Sequence, residues 1–218
     1  MSVDPLLSII IATYNASEFF EECLESIDRE WDDRIELVLV DGLSSDGTVS
    51  IAKKYSHRFS HVLIEKDDGQ SDAFNKGFSL AKGEYVSWVN ADDVLVPGAL
   101  ARVLDVLEQR ESEWYAANQI YIDDSGRIVK FAQIGGFESF GVRFGVLHVF
   151  GPSTFIKREL FARMGPFDVE FLWIQNIGGG WRRMGLCFKE YLYIFGRLEY
   201  IKIQRPPRRY REMKFQRE

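Results

Sequence analysis

The sequence is poor in the residues that staple or metallate small folds. Its two cysteines, Cys23 and Cys187, stand far apart and in no metal-ligand spacing, which argues against a disulfide framework or a zinc site and fits a reducing, cytoplasmic setting. No apolar run is long enough to span a bilayer. The stretch Met1-Ser2-Val3-Asp4-Pro5 has no basic region, and the apolar residues after it are broken by Ser8, so no signal peptide is expected. Internal repeats and low-complexity linkers are missing too. What is present is core material: 46% of 218 residues are hydrophobic and 14% aromatic, enough for one globular domain and too much for a disordered chain.

The formal charge of −6 hides an asymmetry. Residues 197–218 hold eight Lys and Arg against three Asp and Glu, so the rest of the chain carries −11. Aromatic Tyr191 to Phe195 precedes that basic segment, a pairing that suits contact with an anionic membrane surface as well as it suits a solvated tail. Nucleic acid is not expected as a partner, because the basic run carries no recognisable module.

Along the chain, apolar strands alternate with amphipathic helices. Leu6 to Thr13 reads as a strand buried on both faces, and Tyr14-Asn15-Ala16 then turns the chain. Asn15 with Glu18 makes a capping signature for a helix carrying Phe20, Cys23, Leu24 and Ile27 at helical spacing. Ile35 to Val40 is a second strand, followed by the turn-rich loop Asp41 to Thr48 and a short helix through Tyr55. His61 to Lys66, a helix over Gln70 to Lys82, and a strand over Tyr85 to Asn90 complete the pattern. Such alternation predicts an α/β domain with a mostly parallel central sheet flanked by helices, whose ligands bind beyond the carboxyl ends of the strands. After residue 93 the pattern is mixed: Pro97 opens a helix through Leu107, and Trp114 to Asp123 with Arg127 to Gln133 makes a hairpin around Asp124-Ser125-Gly126. Gly135 to Gly151, rich in Gly and Phe, is expected to be a loop or lid over the cleft.

The residues with chemistry sit at strand ends. Asn90-x-Asp92-Asp93 offers hard oxygen ligands in a short, stiff arrangement that suits Mg²⁺ or Mn²⁺ held by one or two carboxylates plus phosphate oxygens. The ordinary alternative makes Asp93 a cap for the helix near Pro97 and leaves Asp92 solvated. Asp72 and Lys76, four apart on one helix, read by themselves as a surface ion pair. His148, amid Val146, Leu147, Val149 and Phe150, reads as a packed core residue, and nothing is assigned to His57 or His61.

Taken in order, IIIATYN, LVDGLSSDGT and KDDGQSDAFNKGFSLAKGEYVSWVNADD resemble the nucleotide-binding half of the family 2 glycosyltransferases, which have the GT-A fold. With Gly151-Pro152-Ser153-Thr154 through Phe167-Asp168 the resemblance spans residues 6–168. It implies a GT-A domain over 1–196, its nucleotide-binding half at 1–93 and acceptor-side half at 94–196, ahead of a basic C-terminal tail at 197–218. It further implies that Thr13, Tyr14, Asn15, Asp41 and Ser44 line a nucleoside pocket and that Asp72 and Lys76 face the sugar nucleotide. Asn90, Ala91 and Asp92 would form the DxD-like motif, with Asp92 the metal ligand and Asp93 assisting. The reaction implied is inverting transfer from a nucleotide sugar, UDP-linked in expectation, to a glycan or lipid-linked hydroxyl in surface polysaccharide biosynthesis, at the cytoplasmic face of the plasma membrane.

A hydroxyl acceptor needs a base at neutral pH. The positions where the family carries its acid fall near Asn176 and Gly178, within Gly178-Gly179-Gly180, so Glu170 is the nearest replacement and Asp168 reads as a turn residue. Two rival readings remain open at this stage: a nucleotide-sugar-binding protein without turnover, favoured by Asn176 and the glycines, and a nucleotidyltransferase. The latter lacks its glycine- and basic-rich loop after strand one, where Tyr14-Asn15-Ala16-Ser17 stands instead.

Overall fold

The computed structural model describes residues 4–123, 126–132, 153–167, 169 and 195–204, the last as backbone. Four strands form the first part of the sheet: β1 (Leu7–Thr13), β2 (Ile35–Asp41), β3 (Phe59–Ile64) and β4 (Tyr85–Asn90), in the spatial order β3-β2-β1-β4 and all parallel. β1 and β2 are apolar on both faces because both faces are covered, as crossover helices require. The register sets Thr13 opposite Asp41 on one side of β1 and Ala12 opposite Asn90 on the other.

Helices α1 (Phe20–Asp28) and α2 (Thr48–Lys54) connect these strands, as does α3 (Gln70–Leu80), while α4 (Ala99–Gln109) follows β4. One face of the sheet buries Ile9, Ile11, Leu37, Leu39 and Val89 with Phe20, Leu24, Leu100 and Leu104. The opposite face buries Ile10, Val38, Val86 and Trp88 with Phe74 and Phe78 of α3. Each such large side chain contributes about 1.5–3 kcal/mol by leaving water. Gly77 lets α3 lie close on β1, since a Cβ there would fall 2.3 Å from Ile10 Cγ2.

Beyond Asn90 the sheet becomes mixed. A two-residue strand β5 (Val94–Leu95) precedes α4, and β6 (Trp114–Ile122) turns into β7 (Ile128–Ala132), the expected hairpin. Strand β8 (Thr154–Lys157) inserts antiparallel between β4 and β6 and leads into helix α5 (Arg158–Met164). Strand β9 (Phe195–Gln204) runs parallel to β6 and pairs antiparallel with β5. The sheet order is β3-β2-β1-β4-β8-β6-β9-β5, with β7 on β6.

Two local expectations need correction, and one alternative falls away. The segment expected as a tail from residue 197 begins inside the sheet: β9 runs to Gln204, and the alternation Ile201-Lys202-Ile203-Gln204 is a strand pattern that a charge count conceals. Asn15 is not the cap of α1, which starts at Phe20 without a side-chain cap; Asn15 sits in the left-handed region at φ 49° instead. Asp93 does not cap α4 either. Glu30, just past α1, accepts from Gly98 N–H and from Leu100 N–H at 3.0 Å, so the helix is capped from across the fold. The expected lid at 135–151 and the segment 205–218 lie outside the described residues. Among the described residues no helix is long and apolar enough to cross a membrane.

Candidate functional site

At the carboxyl ends of β1 and β2 the sequence places Thr13 and Asp41 side by side. Thr13 Oγ1 donates to Asp41 Oδ2 at 2.7 Å, Ser44 Oγ donates to the same oxygen at 2.6 Å, and Ser44 N–H donates to Asp41 Oδ1 at 2.8 Å. Asp41 is 1% exposed, so this carboxylate is the hub of the loop rather than a side chain lying in water. The loop after β1 is zipped onto the loop after β2. Asn15 N–H donates to Ser44 Oγ at 2.9 Å, Ser45 N–H donates to Asn15 Oδ1 at 2.9 Å, and Ala16 N–H donates to Thr48 Oγ1 at 2.8 Å. Asp46 accepts from Ser17 N–H at 3.1 Å and Thr48 N–H at 2.9 Å. Burial alone would raise the Asp46 carboxyl, but these bonds outweigh it and hold the group well below the usual carboxylate range.

Two non-glycine residues of these loops, Asn15 and Leu43, hold positive φ, a sparsely populated conformation that clusters at functional sites. Tyr14 and Leu43 are the large apolar side chains left open on this rim, at 69% and 55% exposure. Gly42 lies between Tyr14 and Asp67: a Cβ there would come within 2.5 Å of Asp67 Oδ2 and 3.4 Å of Tyr14 Cδ2. Asp67 thus borders Gly42 at this end of the sheet, and reading along the chain misses it because its neighbour lies on the loop after β2.

The start of α3 closes the same end. Asp67 Oδ1 accepts from Gly69 N–H at 2.9 Å, and Gln70 Nε2 donates to Asn90 Oδ1 at 3.1 Å, tying α3 to the end of β4. Gln70 is a second residue that sequence reasoning passed over. Asp72 and Lys76 do form the ion pair expected of the bland reading, at 3.0 Å, and Lys76 Nζ also meets Glu65 at 2.9 Å and donates to the Lys66 carbonyl at 2.7 Å. Burial would raise Asp72, but the Asp68 N–H and Lys76 bring it below its ordinary value. Both side chains brace the loop between β3 and α3, where the sequence resemblance aims them at a ligand.

At the end of β4 the adjacent carboxylates part company. Asp93 N–H donates to the Asn90 carbonyl at 3.0 Å, and Asn90 N–H donates back to Asp93 Oδ2 at 3.2 Å. Asp93 is fully buried and turned into this turn, Ala91 is buried, and Asp92 keeps partial exposure. The repulsion of neighbouring charges is relieved by pointing them into different surroundings. Among the described residues no group of three or more His, Cys, Asp or Glu could hold a metal ion. Asp92 and the Asn90 amide are the hard oxygen donors at this turn, a pair that would suit a cation taking its remaining ligands from phosphate oxygens and water.

Because Asp41 and Asn90 flank the end of β1 on its two sides, the Asp41 network and the end of β4 are about 10 Å apart, two strand spacings. Glu170, Asn176, Asp168 and His148 lie outside the described residues.

The sequence model described as glycosyl transferase family 2 matches residues 8–165. A PGL/p-HBAD biosynthesis glycosyltransferase of Mycobacterium tuberculosis is 34% identical over 173 residues, covering 77% of this chain and 65% of the relative. The glycosyltransferase YibD of Escherichia coli is 39% identical over 93 residues, covering 42% of this chain and 27% of its own. The chain therefore spans less than two thirds of the length of these curated relatives. Among solved structures, S. aureus TarS 1-349 in complex with UDP superposes with a TM-score of 0.70 at 20% identity, covering 92% of this chain and 60% of that one. The mannosyltransferase PcManGT of Pyrobaculum calidifontis, in complex with GDP-Man and Mn²⁺, gives 0.59 at 21% identity, covering 95% and 59%.

Proposed function

Since the chain belongs to the family 2 glycosyltransferases and has the GT-A fold, we propose that it transfers a sugar from a nucleoside-diphosphate sugar to a hydroxyl acceptor. The observation that carries this reading is the convergence of the Thr13-Asp41-Ser44 pocket and the Asn90-Asp93 turn on one end of one sheet. In this reading Tyr14 and the loop organised by Asp41 hold the nucleoside. Asp92, assisted by Asn90, holds Mg²⁺ or Mn²⁺ against the diphosphate. The bound cation supplies charge neutralisation for the departing nucleoside diphosphate. Asp93 supports the turn from within, a role its burial favours over direct chemistry.

The acceptor hydroxyl attacks the anomeric carbon in line and inverts it, with Glu170 proposed as the base that takes its proton. UDP is the first nucleotide to test and GDP the second, since solved structures of this fold hold either. A surface glycan or lipid-linked acceptor, met at the inner membrane face through the basic stretch at 205–218, is the acceptor reading that the charge distribution favours. Nucleotidyl transfer has no support from the loop after β1.

Calorimetric titration with UDP, with and without Mn²⁺, tests the proposal on wild type and Asp92→Ala. We expect metal-dependent binding in wild type, lost in the variant, and a fall in transfer on the order of 1000-fold. Metal-independent UDP binding unchanged in Asp92→Ala would remove the cation from the site. Turnover assayed with Glu170→Gln separates an enzyme from a binding protein: abolished transfer with UDP binding intact supports the enzyme.

A further inference from the structure

The C-terminal half of β6 carries a polar group that the reading above leaves unused. Tyr121 Oη donates to Gln119 Oε1 at 3.1 Å, and Gln119 Nε2 donates to Ser153 Oγ at 2.8 Å. Ser153 and Gln119 are 1% and 8% exposed, whereas Tyr121 is half-buried. β6 changes partner here, pairing with β8 through Ala116 and with β7 from Gln119, and Ala117 N–H donates to the Ser153 carbonyl at 2.9 Å. Gln119 and Ser153 can be explained as filling that seam. Tyr121 stands two residues further along β6, past the last pairing with β8 at Ala116.

The topology says where that oxygen stands. β8 runs antiparallel to both β4 and β6, so β6 is parallel to β4 and its C-terminal half lies at the sheet end that holds Asn90 and Asp92. β5, which continues from the Asn90-Asp93 turn, pairs with β9, the neighbour of β6, so that Val94 and Ile120 share the partner Ile203. Burial and then the Asp93 carboxylate keep the Tyr121 phenol in its neutral form, which places the two groups within electrostatic reach. Lys130, opposite Tyr121 on β7, sets its ammonium 5.3 Å from the ring centroid and fixes the ring.

We propose that Tyr121 and Gln119 form a subsite that reads hydroxyl groups of the donor sugar beside the Asp92 turn, a proposal that rests on the nucleotide-sugar reading. With its proton given to Gln119, the Tyr121 oxygen presents lone pairs to a sugar O–H, and the second N–H of the Gln119 amide is a donor for a sugar oxygen. Such a pair discriminates sharply, since a sugar that lacks the matching hydroxyl leaves half-buried polar atoms unpaired.

The test separates sugar from nucleotide. Wild type, Tyr121→Phe and Gln119→Met are titrated in Mn²⁺ with UDP and with UDP-glucose, UDP-galactose and UDP-N-acetylglucosamine; GDP and GDP-mannose replace them where wild type binds GDP instead. Tyr121→Phe removes one oxygen and keeps the ring against Lys130, so the fold is retained. The expected result is unchanged nucleoside diphosphate affinity with the preferred sugar nucleotide weakened about 5- to 10-fold, the value of one or two neutral hydrogen bonds. Sugar-nucleotide affinity equal to wild type in both variants overturns the subsite, as does an equal loss for the bare diphosphate, which would make the pair a brace for the turn. Wild type that binds neither UDP nor GDP overturns the donor-site reading itself, a separate outcome.

Discussion

Up to residue 93 the strands pair with one another in parallel, in the order β3-β2-β1-β4, with one register shift between Leu37 and Val38. From residue 94 onward, apart from the β6-β7 hairpin, the partners come from far away: Tyr85 pairs with Lys157, and Trp114 pairs with Phe195. The first region closes short crossover loops and spends its polar residues on joining them, as the Thr13, Asn15, Asp41, Ser44 and Asp46 network does. The second is assembled by long-range pairing, and its polar groups, such as Gln119 and Ser153, appear where strands exchange partners. A nucleotide pocket can thus be preorganised within one continuous half, whereas whatever meets the sugar and acceptor depends on segments distant in sequence.

This comparison is broken most severely by Asp41→Ala. The change leaves Thr13 Oγ1, Ser44 Oγ and Ser44 N–H without their common acceptor in a buried place, at a cost of about 3 kcal/mol. Urea unfolding should show that loss and calorimetry should show nucleotide binding abolished. Binding that survives would mean that the loop is not organised by this carboxylate.

A smaller effect is expected at the joint between the two regions. Asn75 on α3 donates from Nδ2 to the Phe167 carbonyl at 2.8 Å and accepts from Phe167 N–H at 2.8 Å. The Phe167 ring in turn packs 5.7 Å from Trp88 and 5.4 Å from Phe161. Asn75→Ala should cost about 2 kcal/mol in urea unfolding, with UDP binding close to wild type and transfer reduced more than binding. Equal losses in both would show that the halves are not separable in this way.

The smallest effect is a pH dependence confined to the first region. The folded-state value of Asp46 lies below its ordinary 3.8. Its contribution is therefore present above about pH 4 and lost as pH falls through the lower folded value. Asp46→Asn should flatten the wild-type decline of stability below pH 4 and leave neutral-pH nucleotide binding little changed. A decline equally steep in the variant would assign the acid sensitivity elsewhere, with the Asp32–Arg34 pair, whose carboxyl is held at about 2, the next group to test.

The strands and helices of the first region were legible because apolar runs such as Ile9-Ile10-Ile11 and the helical stripe Phe20, Cys23, Leu24 and Ile27 report burial directly. Asn90-x-Asp92-Asp93 stood out in the sequence because carboxylates at a buried strand end ask for compensation. Its division of labour was not, since burial of Asp93 and exposure of Asp92 follow from how the turn folds back on Asn90. Asn15 was misread as a helix cap for a related reason: a short polar side chain serves a cap and a left-handed turn equally well, and the neighbouring loop at Ser45 decides between them.

By itself, the sequence determined the alternation of strand and helix and the parallel half of the sheet, because these follow from periodicity and from local turn chemistry. Tertiary structure alone decided that Asp67 borders Gly42, that Gln70 reaches Asn90, that Tyr121 joins Gln119 at the same end, and that β9 returns into the sheet. Those contacts join residues whose partners lie on other strands, and no spacing along the chain encodes a distance that only sheet order and register create.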